Sequence, residues 1–212
     1  MVTYKKIKSQ SKRFSFKDFL SDENALIDQF IKSNNLLNSI LLVGLFVIFQ
    51  YLFSQIRFFI PDNPVPITMQ TFGILLVGGL YGPRLTALSI FAYMIIGIIG
   101  LPVFQSHNGG IDYFFGVTGG YLIGFIFASV TISVLSNKGL KKGLSIWAMI
   151  IGNFLIYFTA LIWLSIYDFG WPENGKLFSQ AVYPFLIGDF IKLITASLSI
   201  NFLWKLSKKN NS

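Results

Sequence analysis

The chain has 212 residues, a formal net charge of +8, 53% hydrophobic residues and only 12% charged residues. Soluble domains average about 25% charged residues, so this composition excludes a water-facing globule and predicts a protein embedded in a lipid bilayer. The chain has no cysteine and a single histidine, His107, which excludes disulfides and thiolate sites and disfavours a metal centre.

Six apolar segments predict an all-α membrane protein with six transmembrane helices. Residues 1–35 are polar and are predicted to form a cytoplasmic N-terminal extension. Residues 36–205 form the transmembrane domain, and residues 206–212 form a basic cytoplasmic tail. The apolar segments are 36–60, 68–81, 85–101, 119–135, 144–166 and 181–204. Because a bilayer core needs about 20 helical residues, the short second segment is expected to extend into its flanks.

The turn between the second and third segments is very short. Only Gly82, Pro83 and Arg84 separate the two apolar runs. Connections this short join helices that run in opposite directions. We therefore predict that these two helices form a tight antiparallel hairpin.

The basic residues are distributed unevenly between the two sides of the predicted membrane. With six spans, 14 of the 17 Lys and Arg residues fall on the side that carries both termini. Cytoplasmic connections are enriched in these residues, so both termini are predicted to be cytoplasmic in a bacterial plasma membrane. Basic clusters beside apolar helices are explained by this rule, which leaves nucleic-acid binding unsupported.

Two ionisable residues lie within the sixth segment. Asp189 and Lys192 are three positions apart and therefore share one helix face. Each charge costs about 2.5–3.5 kcal/mol at the centre of a membrane helix, so an inward placement, paired or hydrated, is expected for both. The pair has two interpretations, a ligand site and an ion pair that only fixes helix packing.

The outer connection 102–118 contains the turn sequence Asn108-Gly109-Gly110. Asn and Gly tolerate positive φ angles, which is typical of a surface turn. An Asn amide also offers two donors and an acceptor to a ligand, so this segment is alternatively a lid over a site. The sequence leaves both interpretations open.

Sequence motifs of catalysis are absent from the chain. It contains no GxxxxGK[ST], HExxH or GxSxG motif and no group of acidic residues within the membrane segments. A P-loop nucleotidase, a zinc protease and a serine hydrolase therefore have no support. We predict a protein that is not an enzyme, with no catalytic residues, no bound metal and no cofactor.

Five motifs, in this order, closely resemble the BioY family of biotin transporters. They are Pro64-Val-Pro-Ile-Thr-Met-Gln-Thr71 with Gly82-Pro-Arg84, Gly97-xx-Gly-Leu-Pro-Val-Phe104, Asn108-Gly-Gly110, Gly119-Gly-Tyr-Leu-Ile-Gly-Phe125, and Gly188-Asp-xx-Lys192. Each motif alone is weak, but five in register over about residues 40–205 are specific. The family consists of substrate-binding S components of energy-coupling-factor transporters.

The resemblance implies a biotin site near the outer surface, contacted by Asn108, Asp189 and Lys192. Biotin carries a ureido ring with two N–H donors and a carbonyl acceptor. Asp189 can accept a hydrogen bond from an N–H of this ring, and Asn108 can either donate or accept one. Lys192 pairs either with the valerate carboxylate of biotin or with Asp189.

The apolar part of biotin needs aromatic and aliphatic walls, and one further polar candidate lies at the start of the second segment. These additional site residues are Tyr121, Phe104, Phe185 and Gln70.

The resemblance also implies partners, a transmembrane coupling subunit and ATPase subunits. Family members usually carry small residues four apart in the first helix, where the coupling subunit docks, whereas this chain has Val47 and Tyr51 there. Larger residues hinder close helix approach, so a chain that works alone stays an alternative. The functional alternatives are an S component for thiamine or riboflavin and a non-catalytic membrane assembly factor.

Overall fold

The computed structural model describes residues 25–33, 35–140 and 144–210. Within them the fold is helical apart from one pair of two-residue strands, which confirms the predicted all-α class. Single 3-10 turns occur at Ile27–Gln29 and Gln105–His107. The other elements, in chain order, are α1 (Leu36–Gln55), β1 (Arg57–Phe58), β2 (Ile67–Thr68), α2 (Gln70–Leu80), α3 (Pro83–Ile98), α4 (Ile111–Phe114), α5 (Gly119–Lys138), α6 (Ser145–Ile166), α7 (Leu177–Ala181) and α8 (Tyr183–Asn210).

Four stretches of the described chain are long and apolar enough to cross a membrane. They are Leu36–Gln55, Gly119–Lys138, Ser145–Ile166 and Leu177–Lys208. The helices α2 and α3 are also apolar but are shorter, with 11 and 16 residues. The count of six membrane spans therefore stays a prediction.

The expectation that the second segment extends into its flanks is wrong. At about 1.5 Å per residue, the 11 residues of α2 rise only about 16 Å. On its N-terminal side, Ile67 and Thr68 pair with Phe58 and Arg57 in the antiparallel strands, so their backbone cannot continue the helix. On its C-terminal side, Tyr81 and Gly82 are extended and Pro83 starts α3.

The helix α5 is central to the bundle. Its most extensive contact is with α6, and it also contacts α2 and α3, while α2 contacts α8 as well. The predicted short turn between α2 and α3 is present, but these two helices make few contacts with each other. Instead of forming a closely packed hairpin, both helices lie against α5.

Residues 25–33 lie against the bundle although the sequence assigned them to a polar extension. Leu26 is buried in a cluster with Leu75, Met149 and Ile200, next to the end of the bundle that is predicted to be cytoplasmic. The rest of the predicted extension, residues 1–24 and 34, lies outside the described residues. At the other terminus, α8 continues past the predicted boundary at residue 205 as far as Asn210.

The orientation of the bundle can be tested with reporter fusions. Because 14 of 17 basic residues lie on one predicted side, reporters after Ser212 and within 171–176 are expected to report opposite sides of the membrane. A fusion after Gly139, between α5 and α6, serves as the control and should report the same side as Ser212. The same side for Ser212 and 171–176 would contradict the six-span topology.

Candidate functional site

An ion pair lies inside the bundle on α8. Lys192 Nζ donates to Asp189 Oδ1 at 2.8 Å, and the two residues are 7% and 4% exposed. The helix begins at Tyr183, so Asp189 lies about 9 Å along it, at 1.5 Å per residue. The predicted inward placement agrees with this geometry, and of the two predicted alternatives, paired or hydrated, the structure shows the pair.

Two hydroxyl groups from other helices complete the surroundings of this pair. Thr71, in the first turn of α2, donates to Asp189 Oδ1 at 3.2 Å and accepts from Lys192 Nζ at 2.9 Å. The phenol of Tyr157, on α6, donates to Asp189 Oδ2. The four residues Thr71, Tyr157, Asp189 and Lys192 are hereafter the α8 network, and they join three helices.

The α8 network keeps a small hydrogen-bonding capacity free. A carboxylate has about four acceptor positions and an ammonium group has three donors. Oδ1 of Asp189 accepts two hydrogen bonds and Oδ2 accepts one, while Lys192 donates two. Within the described part of the chain, one acceptor position on Oδ2 and one Lys192 proton therefore have no protein partner.

A cavity lies over the α8 network, at the end of the bundle where α8 begins. Its volume is about 530 Å³, including space that is open to solvent. Most of the lining is apolar or aromatic with a few polar groups, which is typical of small-molecule sites. The lining residues are Val65, Pro66, Ile67, Thr68, Gln70, Thr71, Gln105, Tyr113, Thr118, Tyr121, Leu122, Phe125, Ile156, Tyr157, Phe185, Asp189 and Lys192.

Two of the predicted wall residues line this cavity. The rings of Tyr121 and Phe185 lie 6.2 Å apart between centroids. The hydroxyl of Tyr121 donates to the carbonyl of Ala181 at 2.7 Å, so this residue offers its ring rather than its hydroxyl to the cavity. The short helix α7 thereby fixes the orientation of Tyr121.

Gln70 also lines the cavity, but its amide is engaged by protein groups. Its Nε2 donates to the hydroxyl of Tyr93 at 2.8 Å, and its Oε1 accepts from Thr68 at 3.1 Å. The Tyr93 hydroxyl in turn donates to the carbonyl of Val103 at 2.9 Å. Gln70 thus connects the start of α2 to the connection 102–118.

Phe104 does not line the cavity. Its side chain is fully buried and stacks on Tyr113, with 5.4 Å between ring centroids. A Cβ at Gly97 would lie 2.1 Å from its ring, so the ring occupies space that only glycine leaves free. Phe104 supports Tyr113, which does line the cavity, instead of forming a wall itself.

Asn108 does not line the cavity either. Its Nδ2 donates to the carbonyl of Gln105 at 2.9 Å, which is a contact within its own turn. Gly110 has a φ of +94°, and a Cβ at Gly109 would lie 2.3 Å from the carbonyl oxygen of Leu101. The geometry is that of a tight turn, and a contact between Asn108 and a ligand stays a prediction.

The chain between β1 and β2 and the connection 102–118 both contribute residues to the cavity lining, and the first of them is bonded to α7. Asn63, between β1 and β2, donates from Nδ2 to the carbonyl of Gln180 at 3.0 Å. Burial raises the pKa of the Tyr113 phenol above its ordinary value, which favours the neutral form of this cavity residue. In the connection before α7, a hydrogen bond from Lys176 lowers the pKa of the exposed Glu173 carboxyl.

Sequence reasoning missed two members of the α8 network, Thr71 and Tyr157. Thr71 ends the motif that begins at Pro64, and its hydroxyl is oriented towards a helix 118 positions away. Tyr157 lies in a continuous apolar segment, where a tyrosine gives no sign of which side it faces. The other polar lining residues that were missed are Thr68, Gln105, Tyr113 and Thr118.

Among the described residues, no three His, Asp or Glu side chains are grouped as metal ligands.

Comparisons with known proteins agree on one family. Residues 23–209 match the model of the BioY family. The probable biotin transporter BioY of Rickettsia prowazekii is 31% identical over 186 residues, which cover 85% of this chain and 91% of the relative. The probable biotin transporter BioY of Pyrococcus horikoshii is 37% identical over 155 residues, covering 73% and 89%.

A solved structure has the same fold. It is the crystal structure of the S-component for biotin from an ECF-type ABC transporter, with a TM-score of 0.72 and 28% sequence identity. The alignment covers 82% of this chain and 95% of that chain. The resemblance first seen in five motifs therefore extends over the bundle as a whole, and the chain, a multi-pass integral membrane protein, belongs to the BioY family.

Proposed function

We propose that this chain captures biotin from the outer side of the membrane and mediates its uptake, as the S component of an energy-coupling-factor transporter. The observation that carries the proposal is the α8 network beside the cavity, in which one acceptor position on Asp189 and one proton of Lys192 have no partner among the described residues. The relatives named as biotin transporters and the S-component for biotin support the same substrate.

The free groups of the network match one edge of a ureido ring. An N–H of the ring donates to Oδ2 of Asp189, and the ring carbonyl accepts the remaining proton of Lys192. The aliphatic part of biotin then packs against Tyr121, Phe185 and Ile156, which line the cavity above. Burial of this apolar surface contributes about 25 cal/mol per Å² removed from water.

The valerate carboxylate of biotin is expected at the mouth of the cavity. Lys192 lies 2.8 Å from Asp189, so the pair is neutral overall and leaves no net positive charge for a second anion. A carboxylate placed beside the pair would be desolvated without a counter-ion, which is costly. We therefore propose that Lys192 pairs with Asp189 and not with the ligand carboxylate.

A competition experiment with the purified full chain in detergent tests this proposal. Unlabelled biotin should displace labelled biotin. Biotin amide, which lacks the carboxylate charge, should also displace it, with an affinity within about threefold (~0.6 kcal/mol) of that of biotin. Thiamine and riboflavin should not compete. Displacement by either vitamin, or no specific biotin binding, would contradict the proposal. If biotin competes but biotin amide does not, the carboxylate of biotin pairs with Lys192 instead.

The role of Asn108 can be measured in the same assay. If its amide turns towards bound biotin, as the family resemblance implies, Asn108→Ala should weaken binding by about 1–3 kcal/mol, because a buried partner is left unpaired. We expect this weakening. The matched control is Asn63→Ala, which removes an amide between β1 and β2 without removing a proposed ligand contact. Unchanged affinity for Asn108→Ala would make it an ordinary turn residue.

Energy for uptake is proposed to come from partner subunits. The chain has no P-loop motif, and no step proposed for it needs ATP. In α1, Val47 and Tyr51 are packed against the core, and the Tyr51 hydroxyl lies 3.2 Å from Nδ1 of His107. Their size therefore does not obstruct the exposed face of α1, where Gly44 has open space around it. This supports docking of a transmembrane coupling subunit, together with ATPase subunits.

A further inference from the structure

Two members of the α8 network have no assigned role in binding. Thr71 and Tyr157 belong to α2 and α6, whereas the ion pair belongs entirely to α8. An ion pair three residues apart on one helix forms without help from other helices. The two hydroxyl groups are therefore not needed to bring Asp189 and Lys192 together, and another reason for their position is required.

The hydroxyl groups determine which hydrogen-bonding positions remain available. Without Tyr157, Oδ2 of Asp189 would offer two acceptor positions instead of one. Without Thr71, Oδ1 would regain an acceptor position and Lys192 would regain a proton. With both present, Asp189 offers a single acceptor and Lys192 offers a single donor, which matches a ligand edge with one N–H beside one C=O.

We infer that Thr71 and Tyr157 are positioning residues that act through Asp189 and Lys192 and make the site selective for a ureido group. This inference rests on the proposed function and adds the origin of its selectivity. A ligand edge that presents only donors meets one acceptor and the Lys192 cation, so it loses a hydrogen bond and is repelled. Neither hydroxyl needs to touch the ligand for this selection to operate.

The test compares biotin with 2-iminobiotin, whose ring is a guanidinium at neutral pH and presents donors only. Both ligands are titrated into the full chain in detergent, for the wild type and for Tyr157→Phe. Removing the phenol hydroxyl frees a second acceptor position on Oδ2 of Asp189 and removes no proposed contact with biotin, so biotin affinity should change by less than about threefold. 2-Iminobiotin should bind about tenfold more tightly, because it can donate a hydrogen bond to the freed acceptor, so the ratio of biotin affinity to 2-iminobiotin affinity should narrow about tenfold.

Thr71 gives an independent test. Thr71→Val removes the hydroxyl at nearly constant volume and should narrow the same ratio. Thr71→Ser retains the hydroxyl and should restore wild-type selectivity, which a purely steric role of the threonine methyl would not predict.

The matched controls are Thr195→Val and Tyr183→Phe, on exposed positions of α8 outside the cavity. The Thr195 hydroxyl donates to the carbonyl of Ile191 in its own helix and has no other partner in the described part of the chain. Both controls should keep the wild-type ratio.

The outcomes separate the inference from the function on which it rests. A wild-type chain that does not bind biotin would overturn the proposed function and the inference together. Wild-type binding with an unchanged ratio of the two affinities in Tyr157→Phe and Thr71→Val would overturn the inference alone and leave the hydroxyls a packing role. Narrowed ratios with rescue by Thr71→Ser support it.

Discussion

The double variant Asp189→Asn with Lys192→Met is expected to fold and to lose at least about 100-fold in biotin affinity. Both charges are removed together, so no buried charge is left without a partner. The ligand, however, loses two hydrogen bonds to charged groups, each worth about 1.5–3 kcal/mol. Thermal unfolding in detergent and a biotin titration, made on the same preparation, measure the two effects separately.

The single variants should behave differently from the double variant. Asp189→Asn leaves the ammonium group of Lys192 buried without a counter-ion, and Lys192→Met does the same to the carboxylate. Breaking a buried pair on one side costs about 3–5 kcal/mol, so each single variant should be less stable than the double. Both should also bind biotin poorly.

The chain provides a matched control for these variants. Glu173 and Lys176 form a second pair three residues apart, with the same distance of 2.8 Å between nitrogen and oxygen, but exposed in an outer connection. Glu173→Gln with Lys176→Met should change neither stability nor affinity appreciably, since exposed pairs contribute about 0–1 kcal/mol. A double variant at 189 and 192 that binds biotin as well as this control would leave the inner pair a packing role only.

Gly124→Ala is expected to destabilise the bundle by about 1–3 kcal/mol, the usual cost of overpacking a core. A Cβ at this position would lie 2.7 Å from the Cα of Ile156 and 2.4 Å from Oγ1 of Thr159. Because Ile156 contributes backbone atoms, α5 and α6 would have to separate. Tyr121 and Tyr157 lie on these two helices, so biotin affinity should fall as well.

The control for this substitution is Gly44→Ala in α1, where a Cβ would meet no atom within 4 Å. There the change removes only the poor helix propensity of glycine, so stability should stay equal or rise by up to about 1 kcal/mol. Thermal unfolding of both variants decides the comparison. Equal stability of Gly124→Ala and the wild type would show that the two helices do not approach as closely as described.

Much of the architecture follows from composition and spacing. Long apolar runs predict the helices because a bilayer leaves backbone groups no partner outside the helix itself. The pairing of Asp189 with Lys192 was predictable for a related reason, since either charge alone is costly in a membrane. Both arguments depend on local sequence and on the solvent, and neither needs the tertiary structure.

The parts that sequence reasoning missed depend on contacts between distant segments. Thr71 and Tyr157 meet Asp189 across 118 and 32 positions, and no local pattern reveals such an encounter. Phe104 was expected in the wall because it is aromatic and near the site, yet it fills the space beside Gly97. The short length of α2 depends on the pairing of β1 with β2. Strands of two residues are too short to give a recognisable sequence pattern, so this pairing was not predicted.

A structure of the full chain with bound biotin would show whether the α8 network holds the ureido ring. We expect this ring at the base of the cavity, with one N–H about 3 Å from Oδ2 of Asp189 and the carbonyl about 3 Å from Nζ of Lys192. The valerate carboxylate should lie at the outer mouth. Biotin bound away from Asp189, or with its carboxylate on Lys192, would rule out this mode of binding.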